Sequence, residues 1–319
     1  MRSEFDFIHN IKNKFSLNKV GDDCAVLPKD DKTDLLVTAD MLVEDIDFRL
    51  DWTTPDFLGR KSLTVSLSDI AAMGGQPTWS MLSVGVPERI WNTTFLDDFY
   101  SGYMRIAGKF KVELVGGDIS RTPDKLVIDC IVGGVVEKGE AILRGGAKPG
   151  DLIFVTGLLG GAAGGIMLLE NGVRYRKENR IWEKKLLSKQ LVPYFYGFDG
   201  RLAGIKDAIT SMIDLSDGIS SDLGHICQSS SVGASLNADK IPIEKKLKGL
   251  KLSSDDLISL ALNGGEDYQL LFTADRKKIS ALQTDWFYEI GEINANVGTI
   301  ELRKDNSVTI LEPKGFRHF

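Results

Sequence analysis

Cysteine and histidine are scarce in this chain, with three cysteines and three histidines in 319 residues. Cys24, Cys130 and Cys227 lie too far apart for a C-x-x-C pair and are too few for a disulfide framework. With His9, His225 and His318 scattered among them, they give no zinc-ligand spacing, and a reducing cytoplasm is the expected setting. So few histidines also argue against a Ser-His-Asp arrangement, and His225 in "GISSDLGH" reads as a residue on a helix face. Cys24 sits in "GDDCAVL", where acidic neighbours oppose thiolate formation, so it reads as a small core residue. Excess positive charge is lacking too. The net charge of −6 gives no electrostatic reason to expect nucleic acid or an anionic membrane as partner. Leu152–Leu169 is uncharged and near the length of a membrane span, but it contains five glycines. "LIFVTG" followed by "LLGGAAGGIMLLENG" reads as a strand, a turn and a helix ended by Gly172. The opening "MRSEFDFIHNIKNKF" is too polar for a signal peptide, and a soluble chain with no membrane partner is expected.

What is present is the composition of a globular protein, 43% apolar and 26% charged, and long enough for two domains. "DLLVTAD" has the β-branched apolar content of a buried strand. "TTPDFLGRKSLTVSLSDIAAMGG" predicts a helix, with Thr54 as cap, Pro55 in the first turn and Gly74 past the end. "WSMLSVGVP", "VELVGGD" and "KLVIDCIVGGVVE" read as strands, the last one central, and a helix is expected over roughly 93–110. The glycine- and charge-rich "KGEAILRGGAKPGD" marks a domain boundary, which divides the chain into residues 1–140 and 141–319. Beyond it come the strand "LIFVTG", helices, the strand before Asp214, a helix from about Ile219, "YQLLFTA" and two C-terminal strands. Strands and helices alternate in both halves, so the fold class is α/β or mixed α+β.

The recurring feature is an aspartate at the end of an apolar segment: Asp22 and Asp23, Asp40, Asp69, Asp118, Asp214 and Asp217. Each alone has an ordinary explanation, since Asp beside Gly makes turns and Asp217 stands where a helix cap would. Asp69 is harder to explain away, because Val65, Leu67, Ile70, Ala71 and Met73 surround it and no basic run lies nearby. A buried carboxylate there needs a cation or several hydrogen bonds. One hard cation shared among these aspartates answers the need, and Mg²⁺ joins carboxylates to phosphates. "GLLGGAAGG" lacks both the Walker A ending and the GxGxxG spacing, and reads as close strand–helix packing. In "VGGD" two glycines allow a phosphate to approach while Asp118 holds metal. Arg144 is either a phosphate clamp or an exposed linker arginine.

Taken in order, "GDDCAV", "VTADMLVED", "SLSDIAAMGG", "LVGGDISR", "LRGGAKPGD", "IDLSDGISSDL", "NGGEDYQLLF" and "GFRHF" resemble the thiamine-monophosphate kinase family. That family belongs to the superfamily of aminoimidazole ribonucleotide synthetase and selenophosphate synthetase, and the resemblance runs from about Glu4 to Phe319. It implies an N-terminal ATP/Mg-binding domain that pairs in a homodimer to build a shared β-barrel, and a C-terminal α/β domain that completes the site. It also implies direct in-line transfer of the ATP γ-phosphoryl group to thiamine monophosphate with several Mg²⁺ ions and no general base. By motif, Asp22, Thr38, Asp40, Asp69, Asp118, Asp214 and Asp217 match metal positions. Gly117, Asp118, Arg144 and Ser216 match nucleotide contacts, and Tyr103 lies where relatives carry an aromatic near ATP. Glu266 and Phe316 match contacts to thiamine, and Asp47 stands where relatives commonly carry a substrate-contacting histidine. The competing readings are another ATP-using enzyme of the superfamily, selenophosphate synthetase-like or hydrogenase-maturation-like, and a non-catalytic nucleotide-binding protein of this fold.

Overall fold

The computed structural model describes residues 4–194, 197–198, 200–281 and 286–315. Helix α1 (Glu4–Phe15) precedes the antiparallel pair β1 (Ala25–Pro28) and β2 (Thr33–Val43). Then come α2 (Pro55–Ala72), β3 (Gln76–Pro87), α3 (Glu88–Trp91), α4 (Phe95–Phe110), β4 (Glu113–Thr122) and β5 (Val127–Glu137). The strands form a five-stranded sheet in the order β1-β2-β5-β3-β4, with β3 and β4 its one parallel pair. As the hydrophobic run of β5 suggests, that strand is central.

The second half contains β6 (Leu152–Val155), α5 (Gly161–Glu170), α6 (Ile181–Leu191), β7 (Ile209–Asp214), α7 (Ile219–Ser230) and β8 (Gly233–Asn237). It continues with α8 (Ser254–Asn263), β9 (Leu270–Ala274), α9 (Arg276–Ser280), β10 (Tyr288–Asn294), β11 (Ile300–Lys304) and β12 (Ser307–Ile310). The sheet order is β12-β11-β8-β10-β6-β9-β7, with β8 and β11 parallel. The fold is mixed α+β. Neither sheet closes within one chain. Sequence patterning did not reveal α1, β8 or the third C-terminal strand, each short or largely polar. Among the described residues no helix is long and apolar enough to cross a membrane, and Leu152–Leu169 divides into β6, a turn and α5.

Helix α2 positions the site. Thr54 caps it by accepting the Phe57 amide at 3.2 Å, and Pro55 opens its first turn, where no amide is needed. It is buried over most of its length, including Lys61, Ser62, Thr64, Ser66 and Ser68, because β2, β5, α4, α6 and β7 all pack against it. A helix enclosed on all sides normally carries apolar residues only. These polar side chains therefore need partners: Ser62 and Thr64 donate to the Leu58 and Arg60 carbonyls one turn back, while Lys61, Ser66 and Ser68 reach Glu266, the Cys130 carbonyl and Asp214. One hydrophobic core joins Leu36, Leu67, Ile70 and Ile128 to Met212, Leu270 and Phe272 of the second sheet. Alternate residues of β9 point the other way, where Leu271 packs with Ile153, Leu223 and Ile290 under α7.

Candidate active site

Five aspartates from four segments meet beside α2. Thr38 and Asp40 lie on β2, Asp69 near the end of α2, Asp214 at the end of β7, and Asp22 and Asp23 just before β1. Carboxylate oxygens of Asp23, Asp69 and Asp214 all lie within 4.8 Å of one another. Thr38 Oγ1 donates to Asp69 at 2.5 Å, and Ser68 Oγ donates to Asp214 at 2.6 Å. Arg144 brings positive charge to this group: its guanidinium donates to Asp23 at 2.5 and 3.2 Å, and its amide donates to Asp22 at 3.1 Å. Arg144 is thus the half-buried partner of the buried Asp23, not an exposed linker residue.

Burial dominates the electrostatics. It lifts Asp22 to about 6, helped by the neighbouring charge of Asp23. It lifts Asp40 to about 6 and Asp214 to about 8, with Asp23 adding repulsion in both cases. Asp69 rises well above the carboxylate range through burial and then through Asp40 and Asp214. Burial works against the charge of Arg144, yet Asp23 raises its affinity for the proton overall. Asp23 Oδ2 and Asp40 Oδ2 are buried acceptors without a hydrogen-bond partner among the described residues. A set of oxygen donors with orphaned acceptors and too little positive charge fits a hard divalent cation.

A second group stands at the start of α7, where ligating atoms of Asp217, Asp222 and His225 also lie within 4.8 Å. Gly218 occupies the N-cap position of α7, and Asp222 reaches back from the first turn to accept the amides of Asp217 at 3.2 Å and Gly218 at 2.9 Å. Burial, then the Arg144 charge, push His225 down to about 4, so its ring is neutral. Ser216 is half-buried in the turn between, and its carbonyl accepts the Glu266 amide at 2.7 Å. Glu266 is held by Lys61 at 2.5 Å and by the side-chain amide of Gln190.

Other sequence candidates lie elsewhere. Asp40, Cys130, Leu82 and Gly117 are register partners on one rung from β2 through β5 and β3 to β4. Three strand spacings put Gly117 and Asp118 about 14 Å from Asp40, exposed on the edge strand. Packing accounts for Gly117, because a Cβ there would lie 1.9 Å from the Leu82 carbonyl oxygen. Tyr103 is fully buried, with its hydroxyl 3.4 Å from the Cys130 sulfur. Asp47 is half-buried in the loop after β2, where its carboxylate accepts the Val43 amide at 2.8 Å. Phe316 lies outside the described residues. At the glycine-rich turn before α5, Asp267 accepts the Gly160 and Ala162 amides at 2.5 and 3.0 Å, and within α5 a Cβ on Gly165 would lie 2.5 Å from the Leu186 carbonyl oxygen.

Sequence reasoning missed Lys61, Gln190, Ser68 and Asp222 as members of these networks. Lys61 and Ser68 were detectable as polar residues seven apart, hence on one face of α2. Gln190 had no such signal.

Two sheets, a buried helix between them and carboxylates gathered from both halves define a superfamily before they define a member. Residues 21–136 match the family model for the AIR synthase related protein N-terminal domain, and residues 148–303 match that for the C-terminal domain. The chain is 36% identical to the thiamine-monophosphate kinase of Buchnera aphidicola subsp. Schizaphis graminum, over 99% of this chain and 97% of that protein. It is 32% identical to the thiamine-monophosphate kinase of Bacillus subtilis, over 99% of each. Its fold matches the solved structure "AaThiL complexed with AMPPCP and TMP" with a TM-score of 0.86 and 32% identity, covering 99% of this chain and 97% of that one. The chain belongs to the thiamine-monophosphate kinase family within the AIR synthase related proteins.

Proposed function

We propose that this chain transfers the terminal phosphoryl group of ATP to thiamine monophosphate, giving thiamine diphosphate and ADP. The observation that carries the reading is the buried group of Asp23, Asp69 and Asp214, drawn from three segments and paired with Arg144. The kinship supports it: the relatives are thiamine-monophosphate kinases, and AaThiL has been solved with an ATP analogue and TMP. Incubation of the purified chain with MgATP and thiamine monophosphate tests it. Equal amounts of thiamine diphosphate and ADP are expected, and ADP without thiamine diphosphate would refute it.

The acceptor is a phosphate oxygen that is already ionised at neutral pH, so no general base is required. What the protein supplies is alignment of two polyanions and relief of their repulsion. Asp22, Asp23, Thr38, Asp40, Asp69, Asp214 and Asp217 are the residues that hold Mg²⁺ in this reading, and the bound ions supply the positive charge that phosphoryl transfer needs. Arg144 and Ser216 hold the nucleotide, while Glu266, Asp47 and Phe316 face the thiamine end.

Asp118 and Gly117 join the site through a second copy of the chain. The support for a homodimer is the open edge of β4, together with exposed Met81, Val115 and Ile119 on β3 and β4. A dimer formed through this N-terminal sheet closes the barrel that a single chain leaves open. Three buried free thiols suit a cytoplasmic setting.

A further inference from the structure

Lys61 lies about two helical turns before Asp69 on α2, at a level where the helix is enclosed by both halves of the chain. Its ammonium, almost wholly buried, stands 2.5 Å from Glu266 Oε1. The other oxygen of that carboxylate accepts from Gln190 Nε2. Turning the amide over would set two acceptors against each other, so Glu266 fixes its orientation. Gln190 is itself 5% exposed, and its Oε1 has no hydrogen-bond partner among the described residues. The Glu266 backbone is equally fixed. Its φ of 64° is left-handed, and a Cβ on the preceding Gly265 would lie 2.5 Å from the Ser216 carbonyl oxygen.

We infer that Lys61 and Gln190 are positioning residues for the thiamine end of the site, and that they make Glu266 a reader of a neutral N–H donor. The donor is the amino group of the aminopyrimidine, and this rests on the reading that thiamine monophosphate is the substrate. A carboxylate already in contact with an ammonium gains little from a second cation such as the thiazolium. An amino group offers two N–H donors, and the site offers two acceptors for them, Glu266 and the orphaned Gln190 Oε1. Buried polar groups of this kind reject an analogue that leaves them unpaired more strongly than an apolar pocket can.

The test compares Lys61→Met, Lys61→Arg, Gln190→Met and Glu266→Gln in the full chain. The readings are kcat and KM for thiamine monophosphate and for its oxo analogue, KM for ATP, and melting temperature. Lys61→Met is expected to raise KM for thiamine monophosphate about tenfold, with kcat and KM for ATP held within about threefold. Lys61→Arg should recover part of that loss. Adding Glu266→Gln to Lys61→Met should cost less than the two single changes combined, because they break one unit. The wild type should favour the amino over the oxo substrate by about 10²-fold or more, and both Lys61→Met and Gln190→Met should narrow that ratio.

Additive effects, an equal rise in both KM values, or an unchanged amino-to-oxo ratio would overturn the inference. If Lys61→Met does not fold, Gln190→Met carries the same comparison. If Glu266→Gln raises KM while Lys61→Met and Gln190→Met do not, the substrate reading stands and this inference falls. A wild type that makes no thiamine diphosphate removes both.

Discussion

The two acidic regions of this molecule differ in almost every physical respect. Asp23, Asp69 and Asp214 are packed together beside α2, while Asp118 stands exposed on the edge strand β4, three strands from Asp40. In one chain the first group is complete and mutually strained; the second is bare. Burying several carboxylates with a single arginine partner costs several kcal/mol per uncompensated ion. Such a group persists when its natural state includes a cation, whereas an exposed aspartate on a strand edge carries no such demand. In the proposed reading the first group takes part with metal bound, and Asp118 takes part only with a second chain.

The largest expected effect is at the buried group. Asp214→Asn should lower kcat/KM by about 10³-fold while the protein stays folded, because a ligand that holds the cation neutralising the reacting phosphates is lost from a water-poor site. Activity near that of the wild type at saturating Mg²⁺ would remove Asp214 from the site. Asp118→Asn should cost less, about 10- to 100-fold. Mixing it with Asp214→Asn sharpens the comparison. If each site draws Asp118 from one chain and Asp214 from the other, an equal mixture regains about a quarter of wild-type activity through mixed dimers. Sites built within one chain give a comparable yield of active dimers only if Asp118 has no role, in which case Asp118→Asn alone is already active.

A smaller effect concerns pH. Asp22 and Asp40 are raised to about 6 and Asp214 to about 8, all above their unfolded values. The folded, metal-free protein therefore holds more protons than the unfolded chain. The stability these groups contribute is present at low pH and is lost as pH rises through 6 and then 8. With chelator present, the melting temperature should fall by a few degrees between about pH 6 and pH 8.5, and Mg²⁺ should flatten the slope. A slope unchanged by Mg²⁺ would contradict metal binding at these carboxylates. The smallest effect is at Tyr103. Tyr103→Phe should leave KM for ATP within about twofold and cost about 0.5–1.5 kcal/mol of stability through the lost hydroxyl contact with Cys130.

Much of the buried group was legible in the sequence, because aspartates recur at the ends of apolar segments even though each alone has an ordinary explanation. Asp214 and Asp69 carried that signal, and α2 announced itself through Thr54 and Pro55. Tyr103 shows the limit. An aromatic on an amphipathic helix reads the same whether it faces a ligand or a core, and here it packs over Cys130. Gln190 was silent for another reason: its partner Glu266 is 76 residues away in sequence, so only the tertiary fold brings α6 to the segment between α8 and β9. Asp222 resembled a surface residue of the first helical turn, yet it folds back onto the turn that carries Asp217.

The central claim is that the carboxylates of Asp23, Asp69 and Asp214 bind a divalent cation beside the phosphates of ATP. Crystals grown with Mn²⁺ and a non-hydrolysable ATP analogue test this directly through anomalous scattering at the manganese edge. The account predicts at least one strong peak within bonding distance of these carboxylates, absent in Asp214→Asn crystals. Peaks confined to other parts of the surface, with the buried aspartates bonded only to protein, would contradict it.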